Sequence, residues 1–276
     1  MPELPEVQTT ADGLKSLLNA KITNIKLYSR KLRHKIPINI KKLVKNSKIQ
    51  KIYRIGKYII VENNNHYSII FHLGMSGRLK IENHRYKKLK HDHVVFYFNN
   101  KKILIFNDQR KFGFLDLVLT NNIRKIKYIK KLGLDPFEKK LNSHYLSKKL
   151  KNSIVPIKQI LLDQTVISGI GNIYASEILF DSKISPFIPV KNLKNEDFAK
   201  IITSTRKILR KAIKSGGTSI RDYSSVEGII GNFQKNFKVY NKENKMIKGF
   251  PIKRAVQYGR STFYCPEFQN VSKVTK

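Results

Sequence analysis

The chain contains one cysteine, Cys265, among its 276 residues. A single thiol excludes the disulfide framework that stabilises many small secreted proteins. Long apolar stretches are also absent: the runs at residues 58–61 and 68–71 are typical of the longest, whereas a membrane-spanning helix needs about 18–20 apolar residues. The N-terminus is too polar and acidic for a signal peptide. These absences predict a cytoplasmic protein without a membrane span.

Acidic residues are scarce, with 19 Asp and Glu against 55 Lys and Arg, and the formal net charge is +36. Such an excess favours a polyanionic partner, most simply nucleic acid. Lys, Asn and Ile are abundant throughout, as expected when a biased base composition favours their codons, so charge alone is a weak guide to function. It indicates DNA or RNA binding without separating an enzyme from a structural binder or a ribosome-associated protein.

The first six residues, Met1-Pro2-Glu3-Leu4-Pro5-Glu6, carry the most chemistry. Pro2 is small enough for the initiator methionine to be removed, which leaves a secondary amine at the terminus. An α-amino group titrates near pH ~7.7–8.0, against ~10.4 for lysine, so an appreciable fraction is neutral at pH 7. Attack of this amine on a sugar aldehyde gives an iminium, whose fixed positive charge draws electrons from neighbouring bonds.

Glu3 and Glu6 lie where such a reaction needs a proton donor and a second carboxylate. Pro5 suits the first turn of a helix. The alternative interpretation of these residues is a start codon followed by a helix cap.

Two patterns of apolar residues divide the chain. Val7, Ala11, Leu14 and Leu18 recur at helical spacing and predict an amphipathic helix over residues 5–19. Short β-like runs follow, and their regular spacing predicts a sandwich or flattened barrel. The predicted strands are residues 22–28, 49–55, 58–62, 68–73, 78–81, 94–98, 103–106 and 113–118.

After residue 120 the pattern becomes helical. The predicted helices are residues 143–150, 156–164, 172–181 and 195–215, and residues 237–268 are typical of β-hairpins. The chain is therefore predicted to be an α+β protein. We expect domains at residues 1–133, 134–234 and 235–270, with a basic tail at 271–276.

Three short motifs in the predicted sheet region contain candidate site residues. Lys57 lies between two predicted strands, where a turn would direct its ammonium into a cleft, although the abundance of lysine favours an ordinary surface position. In Gly74-Met75-Ser76-Gly77 the glycines flank a methionine that would project outward, with a core methionine as the alternative. His91 and His93 alternate on a strand and point opposite ways, which argues against a metal site. Phosphate contact by His91, with a structural Asp92, is the preferred interpretation.

Asp108-Gln109-Arg110-Lys111-Phe112-Gly113 places a cation and an aromatic ring two residues apart at a predicted turn. Together with Met75, Arg110 and Phe112 are the residue types that enter a base stack: apolar wedges, and a guanidinium that hydrogen-bonds the orphaned base. An ordinary hairpin tip is the alternative. Farther on, Gly169-Ile170-Gly171 permits close approach of the backbone, and Asn172 is expected to cap the next helix and form a phosphate site.

These motifs, in this order and spacing, resemble bacterial formamidopyrimidine-DNA glycosylase, and the resemblance covers essentially the whole chain. The matching stretches are residues 1–7, 56–58, 72–77, 90–93, 108–113, 169–177 and 260–266. Leu4-Pro5-Glu6-Val7 resembles this branch rather than the endonuclease VIII branch, which typically has Gly-Pro there. The resemblance implies an N-terminal β-sandwich with a leading helix, a helix-two-turns-helix domain and a C-terminal β-hairpin.

The resemblance also implies roles for the catalytic residues. Pro2 would attack C1′ of the damaged nucleotide, Glu3 would be the general acid that opens the sugar, and Glu6 would shape the site. Lys57 would donate a proton around β-elimination, and Arg260 would do so for δ-elimination. No cofactor is expected, because the amine supplies the covalent chemistry.

The implied partner is double-stranded DNA carrying oxidised purines or abasic sites, bound by a monomer. Met75, Arg110 and Phe112 would fill the gap left by a flipped base, and His91 and Asn172 would contact phosphates. A basic residue common in the family near Asn152 or Ser153 is missing, and Lys151 or Lys158 is expected to replace it. Residues 218–233 correspond to a loop that closes on the oxidised base, where Arg221 stands in for a common lysine.

The clearest departure from the family is at the C-terminus. Members normally finish with a zinc finger of four cysteines in two Cys-x-x-Cys pairs, whereas this chain has only Cys265. One thiol cannot build a tetrahedral structural zinc site. We therefore expect no metal and a zincless finger, a hairpin held by apolar packing. The candidate residues are Phe250, Ile252, Phe263 and Phe268.

Two other functions stay open from the sequence. One is the same enzyme class with a preference for pyrimidine lesions, as in the endonuclease VIII branch. The other is a non-catalytic protein that binds damaged DNA and has kept the fold. The retention of Pro2, Glu3, Lys57 and Arg260 argues against the binder.

Overall fold

The computed structural model describes residues 1–83, 86–218 and 231–269. The chain forms two compact units, each built from two stretches rather than from one continuous segment. The first unit contains Met1–Lys130 and Ile213–Gln234, and the second contains Lys131–Ala212 and Lys235–Lys276. No helix within the described ranges has the length and apolar content needed to span a bilayer.

The first unit is the predicted β-sandwich. Its strands are β1 (Ile22–Leu27), β2 (Ile49–Ile55), β3 (Tyr58–Asn63), β4 (Tyr67–His72), β5 (Gly77–Glu82), β6 (Asp92–Phe98), β7 (Ile103–Asp108) and β8 (Phe114–Leu119). They form two antiparallel four-stranded sheets, ordered β1-β6-β7-β5 and β2-β3-β4-β8. All eight predicted strands are confirmed, with ends that differ by no more than two residues.

The core of this unit lies between the two sheets. Each strand contributes buried apolar residues to a single cluster, in which Phe71 contacts Phe96 and Phe106 edge to face, at ring-centroid distances of 6.1 and 5.6 Å. Helix α1 (Leu4–Leu14) adds Val7 and Ala11 to the same cluster. The first residues of the chain are therefore attached to the core, although most termini fray.

Helix α1 is shorter than predicted, and its last turn is a 3₁₀ turn at Lys15–Leu17. A 3₁₀ turn has three residues per turn rather than 3.6, so the buried face shifts by one residue. Leu17 is fully buried, whereas Leu18, the predicted core residue, is 38% exposed. Two short lysine-rich helices that the periodicity does not predict also belong to this unit, α2 (Ile40–Val44) and α3 (Lys127–Lys130).

The second unit contains the predicted helices. They are α4 (Ser143–Lys149), α5 (Ile157–Leu162), α6 (Asn172–Asp181) and α7 (Asn195–Lys214), whose last residues belong to the first unit. Helices α5 and α6 flank the glycine turn, where the side chain of Gln164 donates to Ile170 O at 2.8 Å and accepts from the Gly169 amide at 2.8 Å. These two bonds fix the turn that precedes α6.

The C-terminal hairpins complete the second unit. They are formed by β9 (Met246–Ile247) with β10 (Phe250–Pro251) and by β11 (Lys253–Gln257) with β12 (Arg260–Tyr264), and we call residues 246–269 the finger. Ile252 and Phe263 are buried with Val239, which agrees with the predicted apolar packing. Phe250 contacts Phe268 at a centroid distance of 5.6 Å, although Phe250 is 43% exposed.

Two turns of the sandwich are packed against each other, the β4–β5 turn and the β7–β8 turn. The buried carboxylate of Asp108 accepts the Ser76 hydroxyl at 2.6 Å and the Gly113 amide at 2.7 Å, so that one side chain joins both turns. A Cβ on Gly74 would lie 2.4 Å from the carbonyl carbon of Phe112. Only glycine permits this approach.

An aromatic cluster packs beneath these turns. The ring of His72 stacks on Phe114 at 5.4 Å and lies 5.0 Å from Tyr58, and its Nδ1 accepts the Gly74 amide at 3.2 Å. Burial, followed by the nearby charges of Arg33 and Lys57, lowers the pKa of His72 from 6.5 to about 4. His72 is therefore neutral at pH 7, as a ring nitrogen that accepts a hydrogen bond must be.

Replacement of Gly74 by alanine is expected to destabilise the first unit. The left-handed backbone at φ +61° costs a non-glycine residue about 1–2 kcal/mol, and the overlap with Phe112 adds to this cost. Gly216→Ala is the matched control, because Gly216 has φ +74° and its nearest neighbour would be 3.6 Å from the new Cβ. Urea unfolding is expected to give a larger loss for Gly74→Ala. Equal losses would show that the two turns are not in tight contact.

The stability of the protein is expected to depend on His72 as the pH falls. Between pH 6.5 and about 4 the unfolded chain binds a proton at this ring that the folded chain does not. Stability is lost over that range, by up to ~3 kcal/mol for this residue. The wild type and His72→Gln, compared by urea unfolding at pH 7 and pH 4.5, should differ less in stability at the lower pH. A difference that does not change with pH would contradict the low pKa.

Candidate active site

The N-terminus lies among carboxylates and cations within the first unit. Pro2 and Glu3 are buried, while the side chain of Met1 is exposed. Burial lowers the pKa of the α-amino group at Met1 below its ordinary value of 8.0. The carboxylates of Glu3 and Glu6 oppose this shift, and the cations of Lys57 and Arg110 reinforce it. Burial at this position therefore favours the neutral form of a terminal amine, which is the nucleophilic form.

The carboxylate of Glu6 fixes the start of the chain. One oxygen accepts the Glu3 amide at 2.9 Å, in the reciprocal arrangement of a capping box. The other oxygen accepts the amide and the hydroxyl of Thr218, at 2.9 and 3.0 Å. Glu6 therefore joins the first helix to the segment that follows α7. These bonds fix the first turn of α1.

Lys57 lies in the two-residue turn between β2 and β3. Gly56 takes the left-handed conformation that the turn needs, at φ +56°, and Arg54 holds the turn by donating to Gly56 O at 2.9 Å and to the side chain of Gln8 at 3.2 Å. Lys57 is only 7% exposed. The surface interpretation that the lysine-rich composition favours is therefore wrong.

Met75, Arg110 and Phe112 are presented by the two turns that Asp108 joins. Met75 is 41% exposed and Phe112 is 45% exposed, so the interpretation of Met75 as a core residue is wrong. The Arg110 guanidinium lies over the Phe112 ring, 4.7 Å from its centroid. Much of the surface of the Met75 and Phe112 side chains therefore lies outside the core. They are available to a partner.

The histidines near β6 have different surroundings. His93 is buried, with one ring nitrogen 2.7 Å from Ser29 Oγ and the other 2.8 Å from Asp108 O. Asp92 accepts the Tyr86 hydroxyl and the Leu89 amide, both at 2.7 Å, which agrees with a structural role. His91 is partly exposed. Across residues 1–83, 86–218 and 231–269, no group of three or more His, Cys, Asp or Glu side chains has the geometry to hold a metal ion.

In the second unit, Asn172 contacts the residue that follows Arg260 in β12. Asn172 Nδ2 donates to Ser261 O at 2.9 Å, and Arg260, the preceding residue, is exposed. The prediction that Asn172 caps α6 is wrong, because Gly171 occupies the N-cap position and Asn172 is the first helical residue. The carboxamide of Asn172 instead joins α6 to the finger.

The two lysines predicted to replace the missing basic residue differ in exposure. Lys151 is exposed. Lys158 is fully buried, with its ammonium 2.9 Å from Ser261 O and 2.7 Å from Thr262 Oγ1, so the prediction that it contacts DNA is wrong. Arg221 lies outside the described residues.

The positioning residues differ in how clearly the sequence indicates them. Asp108 precedes a turn, where aspartate commonly accepts backbone amides, so this residue could have been identified. Thr218 is 212 positions away from Glu6, and a single sequence gives no indication of such a pair. The burial of Lys158 has no signal either, because lysine is rarely buried.

Two family models match the chain. Residues 1–115 match the formamidopyrimidine-DNA glycosylase N-terminal domain, and residues 132–224 match the formamidopyrimidine-DNA glycosylase H2TH domain. The formamidopyrimidine-DNA glycosylase of Zymomonas mobilis is 44% identical over 271 residues, which cover 98% of this chain and 100% of the relative. The enzyme of the same name from Rickettsia conorii is 40% identical over 272 residues, with 98% and 99% covered.

Solved structures from Lactococcus lactis are similar over the same length. A mutant Fpg in complex with DNA containing Fapy-dG has a TM-score of 0.90 and 34% identity, covering 98% of this chain and 100% of that chain. The complex of L. lactis Fpg with abasic-site DNA has a TM-score of 0.89 and 34% identity, covering 97% and 99%. Similarity of this extent, in sequence and in fold, shows that the chain belongs to the formamidopyrimidine-DNA glycosylase family.

Proposed function

We propose that this chain is a bifunctional DNA glycosylase and AP lyase of base excision repair, which removes oxidised purines and then cleaves the DNA backbone. Family membership supports a glycosylase that acts in DNA repair. The observation that carries the catalytic proposal is the burial of Pro2, Glu3 and Glu6 at the start of α1, where the charges of Glu3, Glu6, Lys57 and Arg110 all act on the terminal amine of the chain. We expect the enzyme to act on chromosomal DNA in the bacterial cytoplasm, as a monomer.

The reaction begins once Met1 has been removed. The lone pair of the Pro2 nitrogen forms a bond to C1′ of the damaged nucleotide, and the glycosidic bond breaks with its electron pair on the departing base. The Pro2 nitrogen gives up its N–H proton, which the departing base takes up, and the freed lone pair then breaks the bond from C1′ to the ring oxygen O4′. Glu3 protonates O4′ as the sugar opens, which leaves the C1′ iminium on Pro2. Glu3 is 3% exposed, and a carboxyl held in such surroundings suits the role of a general acid.

Elimination follows because the iminium makes the C2′ proton acidic. Loss of that proton breaks the bond from C3′ to its phosphate oxygen, and a second elimination releases the phosphate at C5′. Lys57 is proposed to donate a proton during the first elimination and to bind a phosphate. Arg260, exposed at the start of β12, is proposed as the donor to the second departing phosphate.

DNA is proposed to bind through side chains that are at least partly exposed. Met75 and Phe112 would occupy the space left by the flipped nucleotide, with Arg110 hydrogen-bonded to the orphaned base. His91, Asn172 and Lys151 would contact phosphates. Affinity should fall steeply with added salt, because each cation that binds a phosphate releases a counterion.

Oxidised pyrimidines are the second candidate lesion class. Wild-type L. lactis Fpg, which is 33% identical to this chain with a TM-score of 0.89, was crystallised with DNA containing an oxidised pyrimidine. Residues 4–7, Leu-Pro-Glu-Val, resemble the branch that acts on purines. We therefore rank purine lesions first.

Reduction with borohydride tests the covalent intermediate. The wild-type chain, incubated with an abasic-site duplex and borohydride, should form a stable protein–DNA adduct, and Pro2→Gly should form much less. Pro5→Ala is the matched control, since Pro5 is buried in the first turn of α1, three residues after Pro2, and has no proposed chemistry. Glu3→Gln should slow base excision by roughly 10²–10⁴-fold, the usual contribution of a general acid. Absence of any adduct with the wild type would rule out the enzyme in favour of a non-catalytic binder.

The lesion class is tested by parallel single-turnover assays. Excision of 8-oxoguanine opposite cytosine is expected to be faster than excision of thymine glycol at equal enzyme concentration. The opposite order would assign the chain to the pyrimidine specificity of the endonuclease VIII branch.

A further inference from the structure

We propose that a chain of buried hydrogen bonds through Lys158, Thr262 and Gln257 fixes strand β12 and thereby positions Arg260, as a metal ion would in a zinc finger. We call these three side chains, with Gln269, the polar clamp. The inference rests on the proposed function, because the position of Arg260 affects the reaction only through its proposed role as the proton donor in δ-elimination.

The donors and acceptors of the clamp form one directed chain. Lys158 Nζ donates to Thr262 Oγ1 at 2.7 Å, and the Thr262 hydroxyl donates to Gln257 Oε1 at 2.8 Å. Gln257 Nε2 then donates to Pro186 O at 3.2 Å. An ammonium has only donors and a hydroxyl has only one proton, so every bond in the series has a single possible direction. The clamp thus specifies one arrangement of β11 and β12.

Gln269 makes the second connection. Its Oε1 accepts the Cys265 amide at 2.8 Å, just after β12 ends, and its Nε2 donates to Ile184 O at 3.0 Å. Pro186 and Ile184 both lie in the segment after α6. The end of β11, through Gln257, and the end of β12, through Gln269, are therefore tied to one segment of the same unit. Lys158 and Thr262 are fully buried, and Gln257 and Gln269 are 7% and 1% exposed, so water does not compete for these groups.

The hairpin needs such a constraint. It turns through Tyr258 and Gly259, both at positive φ, and pairs Gln257 with Arg260. An isolated two-stranded hairpin is marginally stable in water, and a slip of one residue would move each side chain to the opposite face. Apolar contacts such as those of Phe263 are not directional, whereas the hydrogen bonds of the clamp are.

A zinc ion does not fit the residues present. Cys265 is the only thiol of the chain, it is buried, and its Sγ lies 3.5 Å from Glu267 Oε2. Burial, assisted by Glu267, raises the pKa of this thiol, which opposes the thiolate form that binds zinc. The residues that join the finger to the helices are instead amides, a hydroxyl and an ammonium.

The test compares Thr262→Val with Thr262→Ser on an abasic-site duplex. Valine has the shape of threonine without its hydroxyl, whereas serine keeps the hydroxyl. We expect Thr262→Val to lower the ratio of δ- to β-elimination product at least ~10-fold, because a 1 Å misplacement of a reacting group costs on the order of 10²-fold. Borohydride trapping should stay within about twofold of the wild type, because the amine that forms the adduct is on another element. Thr262→Ser should retain the wild-type ratio.

Hydrogen exchange provides a readout that does not need catalysis. Thr262→Val should raise the exchange of β11 and β12 amides selectively, and Thr262→Ser should not. If Thr262→Val fails to fold, Gln257→Leu serves instead, with the same expectations. Equal product ratios and equal exchange for the valine and serine variants would overturn the clamp, as would about one equivalent of zinc in the purified wild-type protein. If the wild type forms no borohydride adduct, the proposed function fails, and hydrogen exchange still decides whether the clamp fixes the strand.

Discussion

The carboxylate of Glu6 holds the first residues of the chain in place, and the proposed chemistry depends on it. Its two oxygens accept hydrogen bonds from Glu3 and from Thr218, which is remote in sequence. A terminus is normally the least ordered part of a domain, whereas a nucleophile must be held near its target. Packing of α1 against the sandwich supplies the rest of the constraint, so Pro2 is buried rather than frayed.

Hydrogen bonds of polar side chains also hold other proposed functional residues in place. Lys57, Met75, Phe112 and Arg260 lie on turns or at a strand end, and each of these segments is held by a polar side chain that is buried or, at Arg54, partly buried. Asp108 joins the turns of Met75 and Phe112, Arg54 holds the turn of Lys57, and the polar clamp holds the strand of Arg260. Directional hydrogen bonds set the position of these groups, and the apolar core supplies most of the stability.

The sequence predicts the architecture well because the periodicity of apolar residues, about two in strands and about 3.6 in helices, is a local property. The eight strands and the helices α4 to α7 follow from it directly. The end of α1 does not follow from the periodicity, because a 3₁₀ turn places Leu17, rather than Leu18, in the core. The periodicity also does not predict the partners of the site residues, since the contact between Glu6 and Thr218 spans 212 positions. Nor does it distinguish a buried Lys158 from an exposed Lys151 in a chain with so many lysines.

Nucleophilic attack by the amine of Pro2 is the central claim, and mass spectrometry of the reduced protein–DNA adduct tests it most directly. After proteolysis and removal of the DNA, the sugar remnant should be found on an N-terminal peptide that begins at Pro2, attached to its nitrogen. An adduct on the side chain of Lys57, or on a peptide that retains Met1, would contradict a mechanism that begins at this amine.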